Sequence, residues 1–164
     1  MSGGMNIRRA SRDDSGPLWA ILEPIIRAGE TYPLPRDMSR KAALAYWLSR
    51  LHTTFLAEDE AGVLGTYYIR ANQSGGGAHV ANCGYMVAEA ARGQGIARQM
   101  CAHSLVEAKA MGFAAMQFNF VGANNERAVG LWTSMGFATV GRLPGVFNHP
   151  ADGMVDALVM FRNL

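Results

Sequence analysis

"VAEAARGQGIARQM", Val87 to Met100, decides how the rest of this chain is read. An apolar, strand-like stretch ends at Val87, two glycines one residue apart follow between Arg92 and Arg98, and an amphipathic helical pattern opens near Gly95. A strand, a glycine turn and a helix in that order collect unpaired backbone N–H groups at a helix N-terminus. Those donors and the positive end of the dipole favour an anion, phosphate above all. One glycine suffices for a tight turn. Glycine at both 93 and 95 also removes the side chains that would hold a bulky diphosphate away from the backbone. Read by itself, the same string is equally a glycine-capped turn with no ligand.

Three phosphate-binding patterns are distinguishable here. GxxxxGK[ST] does not occur. GxGxxG requires glycine at position 98, where Arg98 stands, and a strand opening a βαβ unit, whereas this strand follows an antiparallel run. RxxGxA is present as Arg92, Gly95 and Ala97. Some thirty residues on, "NERAVGLWTSMGF" (Asn125–Phe137) reads as a helix opened by a polar residue, with Ala128 and Leu131 inward and Gly136 ending it.

Working outward, "MNIRRA" (Met5–Ala10) predicts a first strand, with Ser11 capping a helix whose first turn carries Asp13 and Asp14. Leu18, Ile21, Leu22 and Ile25 repeat at helical spacing, and Pro24 is expected to kink or divide that helix. Gly29–Ser39 is a proline-containing loop, and Ser39 caps a second helix with Ala43, Leu44, Trp47 and Leu51 on one face. Thr53–Arg70 has the pattern of a hairpin and Ala71–Ala78 that of a flexible connection. A strand (His79–Ala88) leads into the glycine stretch. A helix (Gly95–Met111), a strand (Ala114–Phe120), the helix from Asn125, and strands near Phe137–Leu143 and Val155–Arg162 complete the chain. The order predicts an α/β (α+β) fold, a mixed sheet covered by helices around one core.

Composition narrows the function classes. Of the 164 residues 49% are apolar and 17% charged, which suits a folded enzyme; a net charge of +2 without a Lys/Arg block offers no footprint for nucleic acid or an anionic membrane. Two cysteines, Cys83 and Cys101, lack metal-site or disulfide-framework spacing, so no metal is expected and a reducing compartment fits. "MSGGMNIRRASRDD" lacks the apolar core of a signal peptide, so a cytoplasmic location is expected.

The Arg92/Gly95/Ala97 string and the Asn125–Phe137 helix together resemble motifs A and B of the GCN5-related N-acetyltransferase (GNAT) superfamily. The resemblance runs from about Met5 to the end and is sharpest from His79 to Leu143. It implies a single N-acetyltransferase domain over residues 1–164, a sheet splayed into a V between two parallel strands, and acetyl-CoA as acetyl donor in the gap. The diphosphate would lie on the amides of Gly93, Gln94, Gly95, Ile96 and Ala97, next to Arg92. The pantetheine arm would pair with the backbone of Met86 and Val87. A backbone N–H between Tyr85 and Val87, freed by a bulge, would face the thioester oxygen. Trp132 stands where many such enzymes carry a tyrosine that protonates the departing thiolate, and an indole N–H gives up no proton at neutral pH.

"HVANCGYMVAEAARGQGIA", "QFNFVGANNERAVGLW" and "VGRLPGVF…VDALVM" look like a narrower group, the azetidine-2-carboxylate (proline analogue) N-acetyltransferases known from yeast. By that resemblance Asn82 contacts substrate, Asn119 and Phe120 hold its carboxylate through backbone amides, and Asn125 is the catalytic residue at the sulfur. That group also carries tryptophan at the place of Trp132. The implied activity is direct acetyl transfer to the amine of a small molecule, an amino acid or cyclic imino acid, by a homodimer. A protein N-acetyltransferase and a non-catalytic acetyl-CoA-binding module are the other readings.

Each side chain also has a plainer role open to it. Asn82 and Asn119 sit in apolar strands, where a buried amide must find partners or cost about 1–3 kcal/mol, and neighbouring backbone would serve as well as substrate. Asn125 is a helix cap for which Asn124 competes. Arg92, Arg98 and Arg127 suit an exposed helix surface as well as phosphates. His79 reads as a solvent-facing strand residue and Cys83 as packing. Glu30 and Tyr32 are candidates for the wall of the acceptor site.

Overall fold

The computed structural model describes residues 4–164; the first three residues of the N-terminal stretch lie outside the described residues. β1 (Asn6–Arg9) passes through Ser11 into a 3-10 turn at Arg12–Asp14 and then α1 (Ser15–Ala28). The cap is reciprocal: the Ser11 hydroxyl accepts the Asp13 N–H at 3.3 Å, and the Asp14 carboxylate accepts the Ser11 N–H at 2.8 Å. Pro24 does not divide α1. The carbonyl it deprives of a partner is that of Ala20, and both residues are exposed, so water replaces the lost donor while Leu18, Ile21, Leu22 and Ile26 hold the buried face.

Ser39 caps α2 (Arg40–Trp47) by accepting the Ala42 N–H at 3.1 Å. Ala43 and Trp47 are buried, but Leu51 lies beyond the helix end and is 70% exposed, which corrects its place on that face. β2 (Thr53–Asp59) and β3 (Gly62–Ala71) form the hairpin, its turn held by the Asp59 carboxylate on the Ala61 and Gly62 amides. The connection to β4 (Val80–Val87) is ordered by a 3-10 turn at Gly75–Gly77 and by the Asn72 N–H bond to the Val80 carbonyl.

α3 (Ile96–Ala110), β5 (Ala115–Gly122), α4 (Glu126–Ser134), β6 (Ala138–His149) and β7 (Gly153–Asn163) follow. The last two strands are longer than the sequence predicts: Pro144 and Gly145 read as a strand end, yet a register shift between Leu143 and Phe147 absorbs them on an edge strand, where proline is tolerated.

The sheet order is β1-β2-β3-β4-β5-β7-β6. β4 and β5 are parallel, and the other neighbours are antiparallel. Side chains alternate between two apolar layers, with Leu56, Tyr68 and Met86 against α1 and α2, and Tyr67, Ile69, Cys83 and Met116 on the face of α3. β4 and β5 stay in register only at Val80–Ala115 and Ala81–Met116. Past that point they splay, and the sheet becomes the expected V. Among the described residues no helix is long and apolar enough to cross a membrane.

Candidate active site

A cleft of about 690 Å³ opens where β4 and β5 part. Four elements wall it: the exposed edge of β4, the glycine loop leading into α3, the end of β5 with the start of α4, and the α1–α2 loop. Asn82 stands near its apex, its Nδ2 donating to the Gln117 carbonyl across the divergence at 2.9 Å. The plainer role foreseen for this amide is therefore filled on the nitrogen side. No donor among the described residues bonds its Oδ1.

The glycine loop is held from both ends. The Arg92 N–H donates to Glu89 O at 3.2 Å and the Gln99 N–H to Gly95 O at 3.1 Å; between them the amides of Gly93 through Arg98 have no protein acceptor among the described residues. Gly93 and Gly95 have φ values of +78° and +77°, a left-handed conformation that strains any other residue. Both glycines are thus required by the turn itself. A Cβ at Gly95 would meet nothing within 4 Å, and one at Gly93 only Arg127 Nη2 at 3.8 Å, so the space before the free amides is open. Ile96 packs its side chain into the core, and exposed Gln94 turns back to the Ala90 carbonyl at 3.4 Å, leaving both residues only their amides to offer an anion.

β4 pairs regularly with β3 along its length, so the bulge expected near Tyr85–Val87 is absent; departure of β5 frees the strand's other edge instead. The Ala88 N–H donates to Leu64 O at 2.8 Å, which by alternation turns the backbone of Met86 toward β3 and that of Tyr85 and Val87 toward the cleft. Met86 therefore cannot pair with a ligand along this edge, and its side chain is buried against α1 and α2. The Tyr85 carbonyl is already taken: the Tyr32 hydroxyl, from the α1–α2 loop, donates to it at 2.8 Å. Burial pushes the Tyr32 phenol up, so at neutral pH it is a neutral donor.

On the opposite wall Asn125 caps α4, with Oδ1 accepting the Ala128 N–H at 3.2 Å. That bond commits the oxygen and leaves Nδ2 as a donor beside the cleft. Asn124 does not compete for the cap; its Nδ2 donates to Asp152 at 2.8 Å. The Trp132 ring lies 5.1 Å from Tyr85 and 4.9 Å from Phe118, filling the floor between the two arms of the V. Asn119 and Phe120 face a single β7 residue where the β5–β7 register shifts between Phe118 and Val121, a bulge that disrupts the ladder there. Contrary to expectation, the Asn119 side chain is exposed, its amide satisfied by Asn72 at 2.6 Å and Gln117 at 2.9 Å.

Charge is divided along the cleft. Arg92, Arg98 and Arg127 line the glycine-loop end, and Glu30 lines the other. Arg98 is committed to Ser134 Oγ at 2.8 Å, whereas no carboxylate pairs with Arg92 or Arg127 among the described residues. His79 is exposed and is not among the lining residues. Cys83 is buried, and burial pushes its thiol up, which makes it a packing residue. Sequence reasoning missed Tyr46 and Tyr68, whose hydroxyls meet at 3.1 Å on the cleft wall nearest α2. The phenols in "AYW" and "TYYI" were the available signal, but helical and strand periodicity assigns them to packing.

A family model described as the acetyltransferase (GNAT) family matches residues 19–137. N-acetyltransferase aca1 of Schizosaccharomyces pombe is 30% identical over 156 residues, covering 82% of this chain and 72% of that protein. The structure of a GCN5-related N-acetyltransferase from Kribbella flavida superposes with a TM-score of 0.93 at 38% identity, over 98% of each chain. YncA of Salmonella typhimurium, a putative acetyltransferase solved with its cofactor acetyl-CoA, shares the fold at 21% identity, with a TM-score of 0.85 over 98% of this chain and 94% of its own.

Proposed function

The chain belongs to the acetyltransferase (GNAT) family and is an acetyl-CoA-dependent N-acetyltransferase; we propose that its acceptor is the amine of a small molecule, an amino acid or cyclic imino acid. The observation that carries the donor side of this reading is the run of free amides from Gly93 to Arg98 on the loop that walls the cleft between β4 and β5. Bound acetyl-CoA supplies an activated acyl group in a thioester. The loop amides and the side chains of Arg92 and Arg127 hold its diphosphate. The backbone of Val87 pairs with the pantetheine arm, and the Tyr85 N–H stabilises negative charge developing on the thioester oxygen.

Asn125 Nδ2 donates to the sulfur as it takes up charge. A thiolate is a good leaving group, so a hydrogen bond substitutes for the proton that Trp132 cannot give. Asn82 Oδ1 receives the acceptor amine, and the backbone of the Asn119–Phe120 bulge receives its carboxylate. A neutral amine placed between them attacks directly in the ternary complex, with positioning as the main contribution, and its proton leaves through water. A homodimer is proposed across β6, an edge strand that exposes Val140 and Val146.

The test is thiol release from acetyl-CoA over a panel of free amino acids, cyclic imino acids, simple amines and peptides. Preference for a free amino or imino acid supports the reading. Release with peptides alone transfers the assignment to protein acetylation, and release with none removes the amino-acid and imino-acid acceptor.

A further inference from the structure

Along β4, a ligand extending inward from the glycine loop meets the cleft-facing backbone of Val87 and then that of Tyr85. At Tyr85 the edge loses its free acceptor and gains a side chain across it, because the Tyr32 hydroxyl occupies the carbonyl at 2.8 Å from a loop 53 residues away in sequence. The wall behind that hydroxyl is tied into the core. The Tyr32 ring meets Trp47 edge-on at 6.1 Å, and Trp47 is fully buried and pinned by its Nε1 bond to Thr66 Oγ1 at 2.9 Å. Thr66 donates in turn to the Phe55 carbonyl at 2.7 Å. The loop carrying Tyr32 is clamped by two reciprocal bonds, Arg27 to the Arg36 carbonyl at 2.6 Å and Arg36 to the Arg27 carbonyl at 2.7 Å. Arg36 also lies against Gly29, where a Cβ would meet its Cδ at 2.7 Å.

We propose that Tyr32 is a positioning residue that ends the acyl-donor track at Tyr85 and thereby limits the donor to a short acyl group. The inference rests on the reading of the cleft as the acetyl-CoA site. A wall built on a pinned tryptophan cannot retreat to admit further methylenes, since packed interiors yield little. The same hydroxyl masks the negative end of a carbonyl dipole that would otherwise oppose charge developing on the thioester oxygen.

The experiment compares acetyl-, propionyl- and butyryl-CoA with one acceptor, in the parent chain, Tyr32→Phe and Tyr32→Ala. One methylene against a fixed wall is worth about 10- to 200-fold in kcat/KM, so the parent should prefer acetyl- over butyryl-CoA by at least about tenfold. Tyr32→Ala should bring that ratio to within about threefold, a change that generalised loosening, slowing all donors alike, would not produce. Tyr32→Phe keeps the ring and should keep the ratio while lowering kcat. A parent that uses butyryl-CoA as well as acetyl-CoA overturns the proposal without any variant, as does a folded Tyr32→Ala with the parent's ratio. If Tyr32→Ala does not fold, Tyr32→Leu replaces it under the same criterion. Absence of turnover with every donor and acceptor removes the transferase reading and the donor stop together, whereas equal use of all donors removes only the stop.

Discussion

Asn82 Nδ2 reaches the Gln117 carbonyl at 2.9 Å, joining β4 to β5 where their parallel register has just ended. The bond gives Asn82 a structural task at the apex of the V in addition to its place in the cleft lining, where it is proposed to receive the acceptor amine. Asn82→Ala should raise the acceptor KM several-fold or more, leave the acetyl-CoA KM near the parent value, and cost about 1 kcal/mol of stability through the lost hydrogen bond. Steady-state kinetics with both substrates varied, together with denaturant unfolding, checks all three. An unchanged acceptor KM would reduce Asn82 to a strand clip.

The Asn125 oxygen caps α4 and its Nδ2 is proposed to serve the sulfur, two tasks that substitution can divide. Asn125→Asp keeps an oxygen to accept the Ala128 N–H and so keeps the cap, but it removes the Nδ2 donor. Its kcat should fall on the order of tenfold, less than the ~100- to 1000-fold lost with an oxyanion-hole donor because sulfur is a weak acceptor, and its melting temperature should hold. Asn125→Ala should lose that rate and also about 1 kcal/mol of stability. Single-turnover rates of thiol release and thermal melts distinguish the pair, and a fully active Asn125→Asp would remove the sulfur role.

Gly93 and Gly95 carry a left-handed φ with open space around the missing Cβ, so substitution there is penalised by conformation and not by collision. Gly95→Ala should destabilise by about 1–2 kcal/mol and weaken acetyl-CoA binding by tenfold or more, because a methyl group enters the space before the free amides. Gly95→Asn, with a side chain that tolerates the left-handed region, should recover stability without recovering affinity. Titration calorimetry alongside thermal melts reads the two quantities independently. Equal affinity in all three chains would contradict a diphosphate on this loop.

Local chemistry made much of this legible in advance. The caps at Ser11, Ser39 and Asn125, the glycine turn before α3 and the hairpin at Asp59 each depend on neighbours within a few residues, so their signals lie in short strings. Features set by distant partners were misread. The spacing of Leu18, Ile21 and Leu22 already turns Ala20 and Pro24 outward, a signal the proline rule overrides, whereas nothing near Val87 tells that β5 would leave the β4 edge free without a bulge. The link from Tyr32 to Tyr85 and the pairing of Asn119 with Asn72 cross 53 and 47 residues, distances at which periodicity carries no information.

Neither cysteine should be reactive in the native protein. Cys83 and Cys101 are both buried, and burial pushes the thiol of Cys101 up to about 11 and that of Cys83 higher still, so the nucleophilic thiolate is scarce at neutral pH. A thiol reagent such as 5,5′-dithiobis(2-nitrobenzoate) should modify both only on unfolding. A Cys83→Ala chain should retain acetyl transfer within about threefold, in keeping with direct attack and no acyl-cysteine. Rapid native labelling of Cys83, together with an inactive Cys83→Ala chain, would point to an acyl-cysteine instead.

Acid should unfold the protein partly through Asp14. Its carboxylate accepts from Arg8 Nη2 at 2.9 Å and Nη1 at 3.1 Å and from the Ser11 N–H, and the guanidinium first, then the backbone bond, hold it below the ordinary carboxylate range despite its burial. A carboxylate whose folded pKa lies below its unfolded value of about 4 binds fewer protons in the native state, so its contribution is complete above that pH and drains away as the pH falls through the folded value. Asp14→Asn keeps an oxygen for the Ser11 N–H but loses the ion pair, so it should cost up to about 1 kcal/mol at pH 7, with the exposed Arg8 side keeping the figure small. Melting curves from pH 7 down to pH 2.5 should converge for parent and variant at the acid end. Parallel curves over that range would show that Asp14 titrates alike in both states and that the β1–α1 junction gains nothing from its charge.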